Sequence, residues 1–106
     1  MDIIEIMFAL REDDNITYDL KLNGKKIGYI KIMENGIEDV WVSEQYRIKN
    51  YGTMLLRHVE WIAKIAGYTR MQVEAVKTSV APFFEKNGYT LNKDECGEYE
   101  GYKILR

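Results

Sequence analysis

The hydrophobic period of this chain changes once, near residue 50, and that change constrains the fold more than any other feature. Before it, apolar residues recur at every second position. Ile16, Tyr18, Leu20 and Leu22 alternate with Thr17, Asp19 and Lys21, as in a half-buried strand. Lys26 to Met33 alternates again, with Ile27, Tyr29 and Lys31 opposite Gly28, Ile30 and Ile32. Asn23-Gly24 lies between the two runs and is a strong hairpin signal, because both residues accept the positive φ of a tight turn. Ile3 to Leu10 and Ile37 to Val42 read as two further strands, with turns at Asp13-Asp14-Asn15 and Asn35-Gly36. The chain up to Val42 is therefore expected to form a four-stranded antiparallel meander.

Beyond that point the spacing becomes helical. Tyr51, Leu55, Val59, Ile62 and Ala66 recur at intervals of three and four, with Met54, His58, Trp61 and Ile65 beside them. The helix is expected to begin near Asn50, and Gly67 to end it. Arg70 to Val76 is rich in apolar and β-branched residues and reads as a strand. A short helix follows, capped by Thr78 or Ser79, with Pro82 in its first turns and Gly88 at its end. Tyr89 to Asn92 and Tyr99 to Leu105 form a closing hairpin around Lys93 to Glu98. The order β-β-β-β-α-β-α-β-β predicts an α+β fold on a mixed sheet, with one right-handed parallel crossover in the middle. No linker or repeat interrupts the chain, so residues 1–106 read as one domain.

Composition narrows the function classes. The formal charge is −2, which argues against a nucleic-acid partner. Cys96 is the only cysteine and His58 the only histidine, so neither an internal disulfide nor a Cys/His metal site is expected. No apolar run has the length of a membrane span, and the N-terminal stretch lacks a basic leader. Cytoplasmic location is the default expectation.

One segment carries chemistry. In Val42-Ser-Glu-Gln-Tyr-Arg-Ile-Lys-Asn-Tyr-Gly-Thr, a strand ends, Arg47 and Lys49 flank a loop, and a helix begins with Gly52 in its first turn. First-turn amides have no intrahelical partner and carry partial positive charge, so this junction suits an anion such as a pyrophosphate. The plain alternative is a helix start with solvated Arg47 and Lys49. Neither a P-loop nor a dinucleotide fingerprint is present.

The run WVSEQYRIKNYGTMLL resembles the signature of the GNAT acetyltransferase family, V-x-P-x-Y-R-x-x-G-x-G followed by a small residue and leucines. A second block, Ala81-Pro-Phe-Phe-Glu-Lys-Asn-Gly-Tyr89, is similar to that family's F-Y-E-K-x-G-F block. The resemblance runs from about Ile16 to Arg106 and implies the GNAT fold, acetyl-CoA as co-substrate and acetyl transfer to an amine. It implies that Arg47, Ile48, Lys49, Asn50, Tyr51, Gly52 and Thr53 hold the pyrophosphate through backbone amides. The backbone of Val40, Trp41 and Val42 would pair with the pantetheine arm, and Phe83 and Phe84 would line its acyl end.

The sequence departs from the family at four places. Asn50 stands for the first motif glycine. Phe84 stands where many members carry a proton-donating tyrosine. Lys77 stands where Asn often faces the cofactor. Asp13-Asp14-Asn15 leaves no room for the helices that usually wall the acceptor site, which predicts an open acceptor side, or one completed by a homodimer or a protein substrate.

Acetylation of an amine needs a proton acceptor. Glu38, on the strand expected to meet the pantetheine, is the first candidate base and Glu74 the second; both are equally at home as solvated strand-face carboxylates. Strict alternation puts Asp39 on the face opposite Glu38. Tyr89 and His58 read as packing residues and Cys96 as a turn residue. Three function classes follow: an N-acetyltransferase acting on a small amine, a lysine or a protein N-terminus; a non-catalytic acyl-CoA-binding module; and an interaction domain without ligand.

Overall fold

The computed structural model describes all residues from Met1 to Arg106. Four strands, β1 (Ile4–Glu12), β2 (Asn15–Leu22), β3 (Lys25–Met33) and β4 (Gly36–Val42), run antiparallel to one another. A 3-10 turn over Glu44–Lys49 leads into α1 (Tyr51–Ile65). Then come β5 (Arg70–Val76), α2 (Ala81–Lys86), β6 (Thr90–Lys93) and β7 (Tyr99–Ile104). All seven strands form one sheet in the order β1-β2-β3-β4-β5-β7-β6, and the single parallel pair, β4 with β5, is the crossover spanned by α1.

The meander forms as the alternation predicts. At Asn23-Gly24 both residues have positive φ, 53° and 83°. The next turn sits one residue earlier than Asn35-Gly36: Glu34 takes the positive φ, and Gly36 is already in strand register with Met33. Asn35 is held there by β5, since its side chain donates to the Arg70 carbonyl at 3.0 Å and its own carbonyl accepts from the Gln72 amide at 2.8 Å. The short helix also differs in its cap. Neither Thr78 nor Ser79 caps it; the Lys77 carbonyl accepts from the Val80 and Ala81 amides and closes that turn by backbone alone.

Both helices lie on one face of the sheet. Leu20, Ile30, Ile32, Met71 and Val73 pack with Leu55, Leu56 and Val59 of α1 and Phe84 of α2 in one apolar core. The alternating residues, among them Tyr29, Lys31, Trp41, Gln72 and Glu74, occupy the opposite face, which carries no helix. The two-residue turn between β1 and β2 leaves that face bare. No helix is long and apolar enough to cross a membrane.

Candidate functional site

The parallel pairing of β4 and β5 lasts two residues, Gly36 with Gln72 and Ile37 with Val73, and then the strands part. Two irregularities cause the parting. On β4, Lys31 pairs with Asp39 but Ile32 with Ile37, so Glu38 is an extra, bulged residue. On β5, Ala75 has φ 55°, and its pairing with β7 slips between Val73 and Val76. A bulge bends a strand and unpairs its neighbour. The Ser43 amide donates to the Ile27 carbonyl on β3, so alternation turns the backbone groups of Val42 and Val40 away from β3 and into the opening. The Val42 carbonyl is already engaged, accepting from Arg47 Nε at 2.7 Å.

At the end of that exposed strand edge stands the start of α1. Asn50 adopts φ 61° and ψ 19°, the left-handed conformation that Asn tolerates better than most residues. The reversal ends the 3-10 turn and starts α1 in a new direction. The Met54 amide bonds to the Asn50 carbonyl, and no side chain caps the start of α1, so the first-turn amides of Gly52 and Thr53 have no intrahelical partner. A β-carbon on Gly52 would lie 3.0 Å from Phe83 Cε1, so any larger residue there would press on the Phe83 ring.

These parts enclose a cleft of about 430 Å³ lined by Val40, Trp41, Val42, Arg47, Asn50, Gly52 and Thr53 on one side. Ser79, Val80, Phe83 and Lys86 form the other side. A second cavity of about 240 Å³ fills the gap between β4 and β5, where Glu38, Asp39, Glu74, Lys77 and Phe84 meet. Val40 and Val80 line both, so cleft and gap are contiguous.

The side chains of the remaining motif residues lie outside the cleft. Tyr51 is buried in the core against Tyr46, and Ile48 and Lys49 point to solvent. The 3-10 turn directs the side chains of Ile48 and Lys49 outward. Asp39 is not opposed to Glu38, because the bulge breaks the alternation; both line the gap, and the Tyr29 hydroxyl donates to Asp39 at 2.6 Å. That bond and partial burial raise the Tyr29 pKa above its ordinary value.

Sequence reasoning missed Ser79, Val80 and Lys86. Lys86 lies three residues after Phe83 and so shares its helical face, a signal that was available. It also missed the polar cluster behind α2. Glu60 is buried on α1 and accepts from Tyr89 Oη at 2.7 Å, Arg57 Nη1 at 2.7 Å and Lys103 Nζ at 3.0 Å. Arg57 Nη2 donates to Asn87 Oδ1 at 3.3 Å, and Asn87 Nδ2 donates to the Phe83 carbonyl at 2.8 Å. The cluster ties α2, and with it the Phe83 ring, to α1. Burial and the Glu60 carboxylate push the Tyr89 hydroxyl pKa far up, so it stays protonated. A carboxylate between apolar positions Leu56, Val59 and Ala63 was the sequence signal for this cluster.

The sequence model of the acetyltransferase (GNAT) domain family matches residues 6–91. The chain belongs to the GNAT family. The matched stretch runs from β1 into β6 and includes every residue of the cleft. GNAT structures share the fold at low identity. The PaiA N-acetyltransferase of Thermoplasma acidophilum, solved in complex with coenzyme A, superposes with a TM-score of 0.76 at 21% identity over 86% of this chain and 61% of that one. This chain thus spans about three fifths of that enzyme's length. A GNAT acetyltransferase of Staphylococcus aureus gives 0.74 at 17% identity, over 87% and 69% of the two chains. An IAA acetyltransferase of Bacillus cereus gives 0.72 at 19% identity and covers 96% of this chain and 97% of its own. The curated proteins contain no sequence match.

Proposed function

We propose that the chain is an acetyl-CoA-dependent N-acetyltransferase. The observation that carries this reading is the uncapped start of α1, whose first-turn amides at Gly52 and Thr53 stand on a cleft that continues along the free edge of β4. Charge-assisted bonds from such amides suit a pyrophosphate, and the free edge suits an amide-bearing arm laid along it as an added strand. The solved relative with coenzyme A bound supports the same choice of ligand.

Acetyl-CoA supplies the activated acetyl thioester, and the residues of this chain do the rest. Arg47 fixes the end of β4 through the Val42 carbonyl, leaving the Val42 amide free to donate to an acyl oxygen at the mouth of the gap. Phe83 closes the cleft over Gly52. Glu38 accepts the proton of the attacking amine, with Glu74 as the second carboxylate on the gap. The acceptor is a cationic amine on a small molecule, a lysine or a protein N-terminus; it enters from the bare face, where Glu38, Asp39 and Glu74 face the gap.

One observation favours a second reading, a non-catalytic acyl-CoA-binding module. Phe84 has no proton to give, and the neighbouring Tyr89 hydroxyl is committed to Glu60. Calorimetric titration with acetyl-CoA, followed by mass spectrometry of amine and peptide mixtures, separates the two. Binding with product supports the enzyme, binding without product supports the module, and no binding overturns both.

A further inference from the structure

β1 is an edge strand whose outer side is covered by no other element. It is nine residues long, and its exposed side chains include Ile4 (39%), Met7 (42%), Phe8 (61%) and Leu10 (53%). It holds no proline or lysine, the residues that usually keep an edge from pairing.

The hydrogen-bonding pattern decides what this edge can accept. The Ile3 carbonyl accepts from the Asn23 amide, so the backbone groups of Ile3 point toward β2. Orientation alternates along an antiparallel strand, and the pairing with β2 is regular from Ile4 to Phe8. Ile4, Ile6 and Phe8 therefore aim their amides and carbonyls outward. On the sheet face they share, they pair with Leu22, Leu20 and Tyr18, which is the face that carries the helices. Past Phe8 the register slips, so the regular edge ends there.

We infer that β1 pairs antiparallel with β1 of a second copy of this chain, about a twofold axis through Ile6. Only this register joins all three outward residues. Ile6 meets the partner's Ile6, and Ile4 meets the partner's Phe8 in both directions, each as a hydrogen-bonded pair. The same register stacks Ile4, Ile6 and Phe8 as apolar cross-strand pairs on the helix face. On the bare face it sets Glu5 opposite the partner's Met7, so no like charges stand opposed. A shift of two residues either way leaves one outward residue against the slipped segment or beyond the regular strand. The two seven-stranded sheets become one continuous sheet, and both β1 edges are covered.

Two measurements test this. Light scattering across a dilution series is expected to give twice the 12.5 kDa chain mass. The double variant Ile4→Lys/Phe8→Lys is expected to give the single mass with an unchanged circular-dichroism spectrum, because both side chains are exposed in the monomer. A wild-type monomer at every concentration, or a dimer that survives the double variant, overturns the inference. The register is tested by disulfide trapping in a Cys96→Ser background, which removes the exposed native thiol. Hydrogen-bonded partners lie about 5.5 Å apart at Cα, within disulfide reach. A mixture of Ile4→Cys and Phe8→Cys chains is expected to cross-link, and neither chain alone. Efficient cross-linking of either alone, or none in the mixture, overturns the register.

Discussion

The ring of Phe83 lies 3.0 Å from the point where a β-carbon on Gly52 would stand. The first turn of α1 and the Phe83 ring of α2 thus approach closely at this point of the cleft. A side chain at residue 52 must push the ring aside and crowd the first-turn amides of α1. Gly52→Val is expected to weaken acetyl-CoA binding by about 1 kcal/mol or more, roughly a fivefold to tenfold rise in Kd. Calorimetry checks this, and unchanged affinity would remove the helix start from the binding site.

Glu38 is the bulged residue of β4 and sits on the gap with Glu74. Glu38→Gln is expected to lower turnover by about 100-fold while leaving acetyl-CoA affinity nearly unchanged. Steady-state rates and titrations on the same preparation measure both. A full rate in Glu38→Gln together with a loss in Glu74→Gln reassigns the base to Glu74.

Tyr89→Phe tests whether the Glu60 cluster is structural. The variant leaves a buried carboxylate without one of its three donors, and a stability loss of about 1.5–3 kcal/mol is expected in urea denaturation. Turnover per folded molecule is expected to hold, because the hydroxyl is 2.7 Å from Glu60 Oε2 and lines neither the cleft nor the gap. A collapse of turnover with acetyl-CoA binding intact would mean that this hydroxyl donates the proton after all.

His58 gives the protein an acid-sensitive point. Its Nε2 is buried without a partner, its ring packs edge-on against Tyr18 at 4.6 Å, and burial holds its pKa below the ordinary 6.5. The unfolded chain takes up the proton first as pH falls. Its contribution to stability is therefore complete above pH 6.5, is lost as pH drops toward the depressed folded-state pKa, and is level below it. His58→Phe is expected to flatten that part of the stability–pH curve relative to wild type in thermal melts. Parallel curves for the two proteins would show that the imidazole is not strained.

The elements of this fold were legible because local chemistry decides them. Alternation in Ile16 to Leu22, the Asn23-Gly24 turn and the helical stripe from Tyr51 to Ala66 each act within a few residues, and the structure has all three. The first-turn amides at the start of α1 were likewise readable, because a helix start leaves them without intrahelical partners whatever surrounds it. Tertiary structure decided the rest. The turn before β4 moved to Glu34 because Asn35 is pinned by β5, a strand 35 residues away in sequence. The Glu38 bulge, which overrides the alternation and brings Glu38 and Asp39 to one gap, comes from the register of β4 against β3 and leaves no mark in composition. Lys86, Ser79 and Val80 enter the cleft because the Glu60, Arg57 and Asn87 cluster and the core packing of Ala81 and Phe84 hold α2 against α1. Periodicity reports which face of an element is buried; which elements then meet, and at what register, depends on contacts between residues distant in the chain.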